Sequence, residues 1–488
     1  MTLRRVGALV VVLALLAGCT APARARPAPG PVPSPPPVAA DLLDGRSTPV
    51  ADPQYPGRGN PDLDVLHYDL ALGWAPASAT LTGTATLSVR AVRPVTALVL
   101  DFGHWYTLDA ATVDGTAHPA TLDAADKVSV PVALRADAVA TLVLRYHGRP
   151  HQVPAPTERA DGEEGLGLRA GTGGEAWTMQ EPYGAFTWYP VNDIPSDKAR
   201  YDLRVTVPAG WSAVASGEYV GRSTGPAGDT FTWHGSDPQA SYLTTLAIGR
   251  YARLDLTGPR GLPVTVWTRP GTDDELRGPL GRIPELLDWL EQRFGRYPFR
   301  AAGVVVVDST SAMETQEMVT LGGRVAGKAT GGRRATAVTQ VLLHELAHHW
   351  FGDAATPSDW RGLWLNEGAA TWIQYRWEID QDQLTEETWV ASARKEDGEV
   401  RRKFGPPGAP RPGDFAEHNV YTSVALLLRA IAQRIGEPAF FALLRDWAQE
   451  HRDGVVDRAA FTGYANRHTG QDLTGLIDTW LDSPTTPD

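Results

Sequence analysis

Two histidines four positions apart, with a glutamate beside the first, are the residues of this chain best placed to do chemistry. They lie in His344-Glu345-Leu346-Ala347-His348. On a helix such positions share one face, one turn above the other. Both imidazoles can then reach a single ion at about 2.0–2.1 Å, the distance zinc takes to nitrogen. Glu345 points to the side of the ion rather than at it, where it can take a proton from water. The chemistry implied is metal-assisted hydrolysis with a carboxylate general base. The apolar Val341, Leu342 and Leu343 just upstream predict that this helix is buried, as a protected metal site requires.

A catalytic zinc takes three protein ligands and keeps one position open. The candidates for the third are Asp353, Asp359, Glu367 and the competing imidazole of His349. Asp353 falls in the turn after Gly352, too near in sequence to return easily. His349 leaves the face shared by His344 and His348. Glu367 sits in Trp364-Leu365-Asn366-Glu367-Gly368-Ala369-Ala370, which reads as the start of a second helix. A short connection would lay that helix across the first and present Glu367 to the metal. The metzincin arrangement is excluded, because position 354 is Ala where a third His is needed and position 351 is Phe where Gly is needed.

These residues need a scaffold, and 488 residues are too many for one ordinary core. From about Leu66 to Leu256 the pattern has period two, as in Thr80-Leu81-Thr82-Gly83-Thr84-Ala85-Thr86-Leu87. That predicts a β domain of antiparallel sheets packed face to face. The character then changes, and Val264 to Trp267 reads as a last strand. Ile283, Leu286, Leu287, Leu290 and Phe294 then follow at helical spacing, with Gly295 placed as a C-cap glycine. Val304 to Val307 reads as a buried strand, and helical patterns continue through Ala425–Ile435 and Phe440–Trp447. The class is α+β and multidomain, with an N-terminal β domain over 57–256 and the catalytic domain over 257–488.

The N-terminus reads as an export signal. Arg4 and Arg5 precede an apolar run from Val6 to Leu16, about the length of a signal-peptide core and short for a membrane span. The run ends in Leu16-Ala17-Gly18-Cys19, which resembles a bacterial lipobox, and Cys19 is the only cysteine. The expectation is a signal peptide over 1–18, a lipid on Cys19 and a Pro/Ala-rich tether over 19–56. The protein is then exported and held at the outer face of a bacterial membrane. A formal net charge of -12 argues against a nucleic-acid partner. The sequence sets no oligomeric state.

Taken with its surroundings, the site resembles the aminopeptidase N family of gluzincin metallopeptidases, in its short bacterial form. The matching stretch runs from His344 to Asp353 and continues through Trp360 and Trp364-Leu365-Asn366-Glu367-Gly368. Leu63 to Leu70, Trp188 to Asp193 with Pro195, Asp197 and Lys198, and the closing Trp480-Leu481-Asp482 match further segments. The resemblance implies a saddle-shaped β domain followed by a thermolysin-like zinc domain. It implies one zinc ion held by His344, His348 and Glu367, with Glu345 as general base.

The same resemblance supplies the substrate contacts. Glu314, in Ser311-Ala312-Met313-Glu314-Thr315, would bind a free α-amine, although Ser311 and Thr315 replace the family's Gly and Asn. Glu181, in Thr178-Met179-Gln180-Glu181, would be a second amine ligand, although the family's Gln is displaced by one and Met179 stands in its place. Tyr421, in Val420-Tyr421-Thr422-Ser423-Val424-Ala425, would donate a hydrogen bond to the oxyanion; Tyr375 is its competitor. The implied function is removal of N-terminal residues from peptides with a free N-terminus. A zinc endopeptidase, another hydrolase such as an epoxide hydrolase, and a non-catalytic peptide-binding protein are the rival readings.

Overall fold

Alternation decides the first half of the molecule. In the strand Thr80–Ala91 the side chains of Leu81, Ala85, Leu87 and Val89 are fully buried, while the threonines between them are only partly covered. The computed structural model describes residues 45–488. Eight strands form the largest sheet, whose central members are Leu63–Ala75, Thr80–Ala91, Val139–Gly148, Lys198–Val207 and Gly228–Ala240. Neighbours run antiparallel except Leu63–Ala75 and Lys198–Val207, which pair in parallel. A four-stranded sheet lies in the order Ser212–Ala215, Leu246–Gly249, Ala176–Met179, Gly167–Ala170. Its strand Ala176–Met179 leads straight into Gln180 and Glu181.

A five-stranded sheet begins the second half. Its order is Ala252–Thr257, Pro263–Thr268, Ala302–Val307, Val319–Gly322, Ala312–Met313. The segment Val264 to Trp267, read from the sequence as a last strand, runs parallel to Ala302–Val307. Alternation marks a strand but not its partner, so the sequence could not assign it to a sheet. Ala302–Val307 is buried on both faces, as its unbroken apolar run requires. The edge strand Ala312–Met313 leads into Glu314.

The helices among the described residues are α1 (Asp274–Gly281), α2 (Ile283–Phe294), α3 (Gly332–His348), α4 (Leu363–Asp380), α5 (Glu386–Phe404), α6 (His418–Ile435), α7 (Glu437–Glu450), α8 (Arg458–Thr469) and α9 (Thr474–Asp482). α2 buries its predicted apolar stripe and ends at Gly295, whose φ of 82° an L side chain rarely adopts. α3 buries Val338, Leu342, Leu343, Leu346 and Ala347. α4 is buried around most of its circumference, Glu367 included, so its charge needs partners. α4 also lies close against α6, because Gly368 has no side chain. A Cβ there would sit 2.2 Å from Cγ1 of Val424.

The leader, Cys19 and most of the Pro/Ala-rich segment lie outside the described residues. Residues 45–56, which fall within the expected tether, are bonded into the fold. Asp52 is buried and accepts from the backbone N–H of Trp360 at 3.0 Å. Gln54 and Tyr55 donate to the carbonyls of Pro410 and Pro412. These polar anchors are single residues, invisible to a reading by composition.

Candidate active site

α3 brings the two imidazoles together edge to face, with ring centroids 4.8 Å apart. α4 crosses it and sets Oε2 of Glu367 3.3 Å from Nε2 of His344 and 3.4 Å from Nε2 of His348. A tetrahedral ion with bonds of about 2.0–2.1 Å has ligand–ligand edges of about 3.3–3.4 Å. The His–Glu spacings are therefore those of two edges of a zinc coordination tetrahedron. The orientation of His348 fits as well. Its Nδ1 donates to the carbonyl of Phe351 at 3.2 Å, which fixes the tautomer and leaves the Nε2 lone pair for a metal. Burial works against the Glu367 charge, yet the His348 and His344 imidazoles hold its carboxyl below the usual range.

The rival ligands sit elsewhere. Nδ1 of His349 is 2.9 Å from the Tyr297 hydroxyl, and Asp353 is buried beside His349 at 3.7 Å. Asp359 caps the turn before α4 and pairs with Arg361.

A cleft of about 1070 Å³ opens over the His-His-Glu group, and Glu345, Glu314, Glu181 and Tyr421 all line it. Burial, with the Glu314 charge adding to it, pushes the Glu345 carboxyl well above the usual carboxylate range. That moves it toward the neutral value a general base needs, while a nearby dication draws it back down. Glu314 is only 4% exposed. Oε1 of Glu314 and Oε1 of Glu181 are both buried without a hydrogen-bond partner. Burial pushes both carboxyls up, and the Glu314 charge pushes Glu181 further. Two desolvated carboxylates in one cleft are costly on their own and suited to a cation.

The departures from the family pattern have structural uses. The Gln180 amide donates to the carbonyls of Ser241 and Thr244 at 2.9 and 2.8 Å, and its oxygen accepts from Trp188 at 2.9 Å. It is spent on holding the sheet end that carries Glu181. Thr315 is buried and its hydroxyl ties to the Met318 carbonyl and to the Thr320 hydroxyl, bracing the turn after Glu314. The Ser311 hydroxyl donates to Asp161 at 3.2 Å.

Tyr421 lies in the first turn of α6, its ring nearly parallel to that of His344 at 6.0 Å. Tyr375 also lines the cleft but packs its ring on Trp389 at 5.1 Å. One residue at the site was not read from the sequence. Arg159 donates from Nη1 to the Tyr421 hydroxyl at 2.8 Å. It lies in an irregular stretch rich in Pro, Gly and acidic residues, where an arginine gives no periodic or motif signal. Burial pushes the Tyr421 phenol up, and the Arg159 charge opposes it.

Comparison with known proteins bears on this arrangement. Residues 280–480 match the peptidase family M1 domain. Aminopeptidase 2 of Candida albicans is 25% identical over 86% of this chain and 47% of its own length. Aminopeptidase N of Streptomyces lividans is 24% identical over 59% of this chain and 36% of its own. The crystal structure of an M1 zinc metallopeptidase from Deinococcus radiodurans superposes with a TM-score of 0.78 at 28% identity, covering 90% of this chain and 99% of that one. The catalytic half, residues 280–480, thus carries a peptidase family M1 domain. The chain spans less than half the length of these two curated relatives. The M1 domain match contains the three candidate ligands, Glu345, Glu314 and Tyr421, whereas Glu181 and Arg159 come from the β-rich half before it. The three side chains of the His-His-Glu group lie close enough together to hold one metal ion, and the M1 structure that the chain resembles is that of a zinc metallopeptidase.

Proposed function

We propose that this chain is an aminopeptidase, which removes single residues from the free N-termini of peptides. The observation that carries the reading is that Oε1 of Glu181 and Oε1 of Glu314 are both buried without a hydrogen-bond partner in the cleft of the His-His-Glu group. A protonated α-amine would satisfy both and place the first peptide bond beside Glu345. When bound by His344, His348 and Glu367, zinc supplies Lewis-acid polarisation of a carbonyl and acidification of water. Glu345 accepts the proton of the attacking water and later delivers it to the leaving amine. Tyr421 donates a hydrogen bond to the oxyanion. An endopeptidase would have no use for two desolvated acids at the end of its cleft. The test is hydrolysis of free against N-acetylated aminoacyl amides. Cleavage of both at equal rates would overturn the reading.

We also propose that the protein is exported and lipid-anchored through Cys19. The support is the sequence Arg4-Arg5, the apolar run that follows and Leu16-Ala17-Gly18-Cys19. Among the described residues no helix is long and apolar enough to cross a membrane. Incorporation of a radiolabelled fatty acid in wild type but not in Cys19→Ser is the expected result; equal labelling would refute it.

A further inference from the structure

We infer that Arg159 is a positioning residue for the proposed reaction, aiming the Tyr421 hydroxyl hydrogen at the oxyanion; this rests on the aminopeptidase reading. A guanidinium carries only donors. The Tyr421 oxygen, 2.8 Å from Nη1, must therefore accept, and its own hydrogen cannot point back at Arg159. Among the described residues that hydrogen has no protein acceptor, and Tyr421 lines the cleft beside His344. The acceptor it is left for is one that arrives with the substrate.

Arg159 is itself held on three sides. Its Nε and Nη2 donate to Asp161 at 3.0 and 2.7 Å, and Nη1 also donates to the carbonyl of Ala416 at 2.8 Å. Asp161 is held in turn by the Ser311 hydroxyl, three residues before Glu314. Ser311 stands where the family pattern has a glycine that could make no such bond. The loop around Arg159 is stitched to the segment preceding α6. Thr157 donates to Glu417 at 3.0 Å, and the Phe415 N–H donates to the Pro156 carbonyl at 2.8 Å. A fork-shaped, doubly anchored cation fixes the phenol in direction as well as position, which a point charge on a flexible stem does not.

The test is a double-mutant cycle between Arg159→Met and Tyr421→Phe, read as kcat and KM on a fluorogenic aminoacyl amide. Loss of a preorganised oxyanion donor costs about 100- to 1000-fold, and loss of its positioning is expected to cost about tenfold in kcat with KM within about twofold. In the Tyr421→Phe background the same substitution is expected to change kcat by less than about twofold, because coupled residues are not additive. Arg159→Lys should retain more activity than Arg159→Met, and it carries the same cycle if Arg159→Met does not fold. An equal loss in both backgrounds, no loss in either, or an effect confined to KM would overturn the inference while leaving the aminopeptidase reading intact. A wild-type protein that cleaves no free aminoacyl amide would overturn that reading and this inference with it.

Discussion

Replacing Glu314 by Gln should weaken catalysis and strengthen the fold, and both signs follow from one observation. Oε1 of Glu314 is buried and has no hydrogen-bond partner within the protein. A substrate ammonium would meet it in a charge-assisted hydrogen bond, a contact that typically contributes about 1.5–3 kcal/mol. Gln keeps the shape and removes the charge. At about 1.4 kcal/mol per decade, kcat/KM on a free aminoacyl amide should fall by about 10- to 150-fold. The N-acetylated analogue has no ammonium, so its residual rate should change by no more than about twofold. Stability should move the other way. Burial raises the Glu314 carboxyl above its ordinary value of 4.5. The folded state then holds a proton that the unfolded chain has already released, so stability is greatest below the unfolded value and falls as pH rises through the folded one. Gln does not titrate, so its advantage over wild type in urea denaturation should grow as pH rises above the ordinary carboxyl value of 4.5. Equal losses on both amides, or a variant less stable than wild type at the higher pH, would refute the reasoning.

Three further outcomes are expected. Glu345→Gln should lower kcat by about 100- to 10,000-fold, the range for loss of a general base, while metal analysis still finds one zinc per chain. His348→Ala should lose zinc as well as activity, and chelation of the wild type should abolish turnover until Zn²⁺ is restored, because two remaining donors leave the site incomplete. Gly368→Ala should cost about 1–3 kcal/mol in denaturant unfolding, because the new methyl meets Val424 and must push α4 from α6.

The sequence revealed most where the chemistry is local. His344, Glu345 and His348 share one helical turn, so their geometry follows from spacing alone. Glu367 required two helices to cross, and a short connection with a buried helix start was enough to suggest that. Glu314, Glu181 and Tyr421 are legible only through resemblance, since nothing in their spacing says that three distant segments meet in one cleft. Arg159 left no signal, because its role depends on a loop whose path is set by tertiary hydrogen bonds. The same limit applies to the fold. Alternation marked the strands of the β-rich half, but the pairing of Val264 to Trp267 with Ala302–Val307 is a property of the packed sheet. The docking of Asp52 and Tyr55 was hidden in a segment whose composition reads as extended chain.

The two unpaired acids stand at the ends of strands from different sheets, Glu181 after Ala176–Met179 and Glu314 after Ala312–Met313. On the proposed reading, the metal ligands and the general base belong to α3 and α4, but the ability to recognise a chain terminus belongs to neither half alone. Counting to the first bond becomes a property of the seam. A displacement of the halves by an ångström or two would leave the metal ligands and Glu345 in place while parting Glu181 from Glu314 and Arg159 from Tyr421, so the ruler and the oxyanion donor would slip together before the metal was lost.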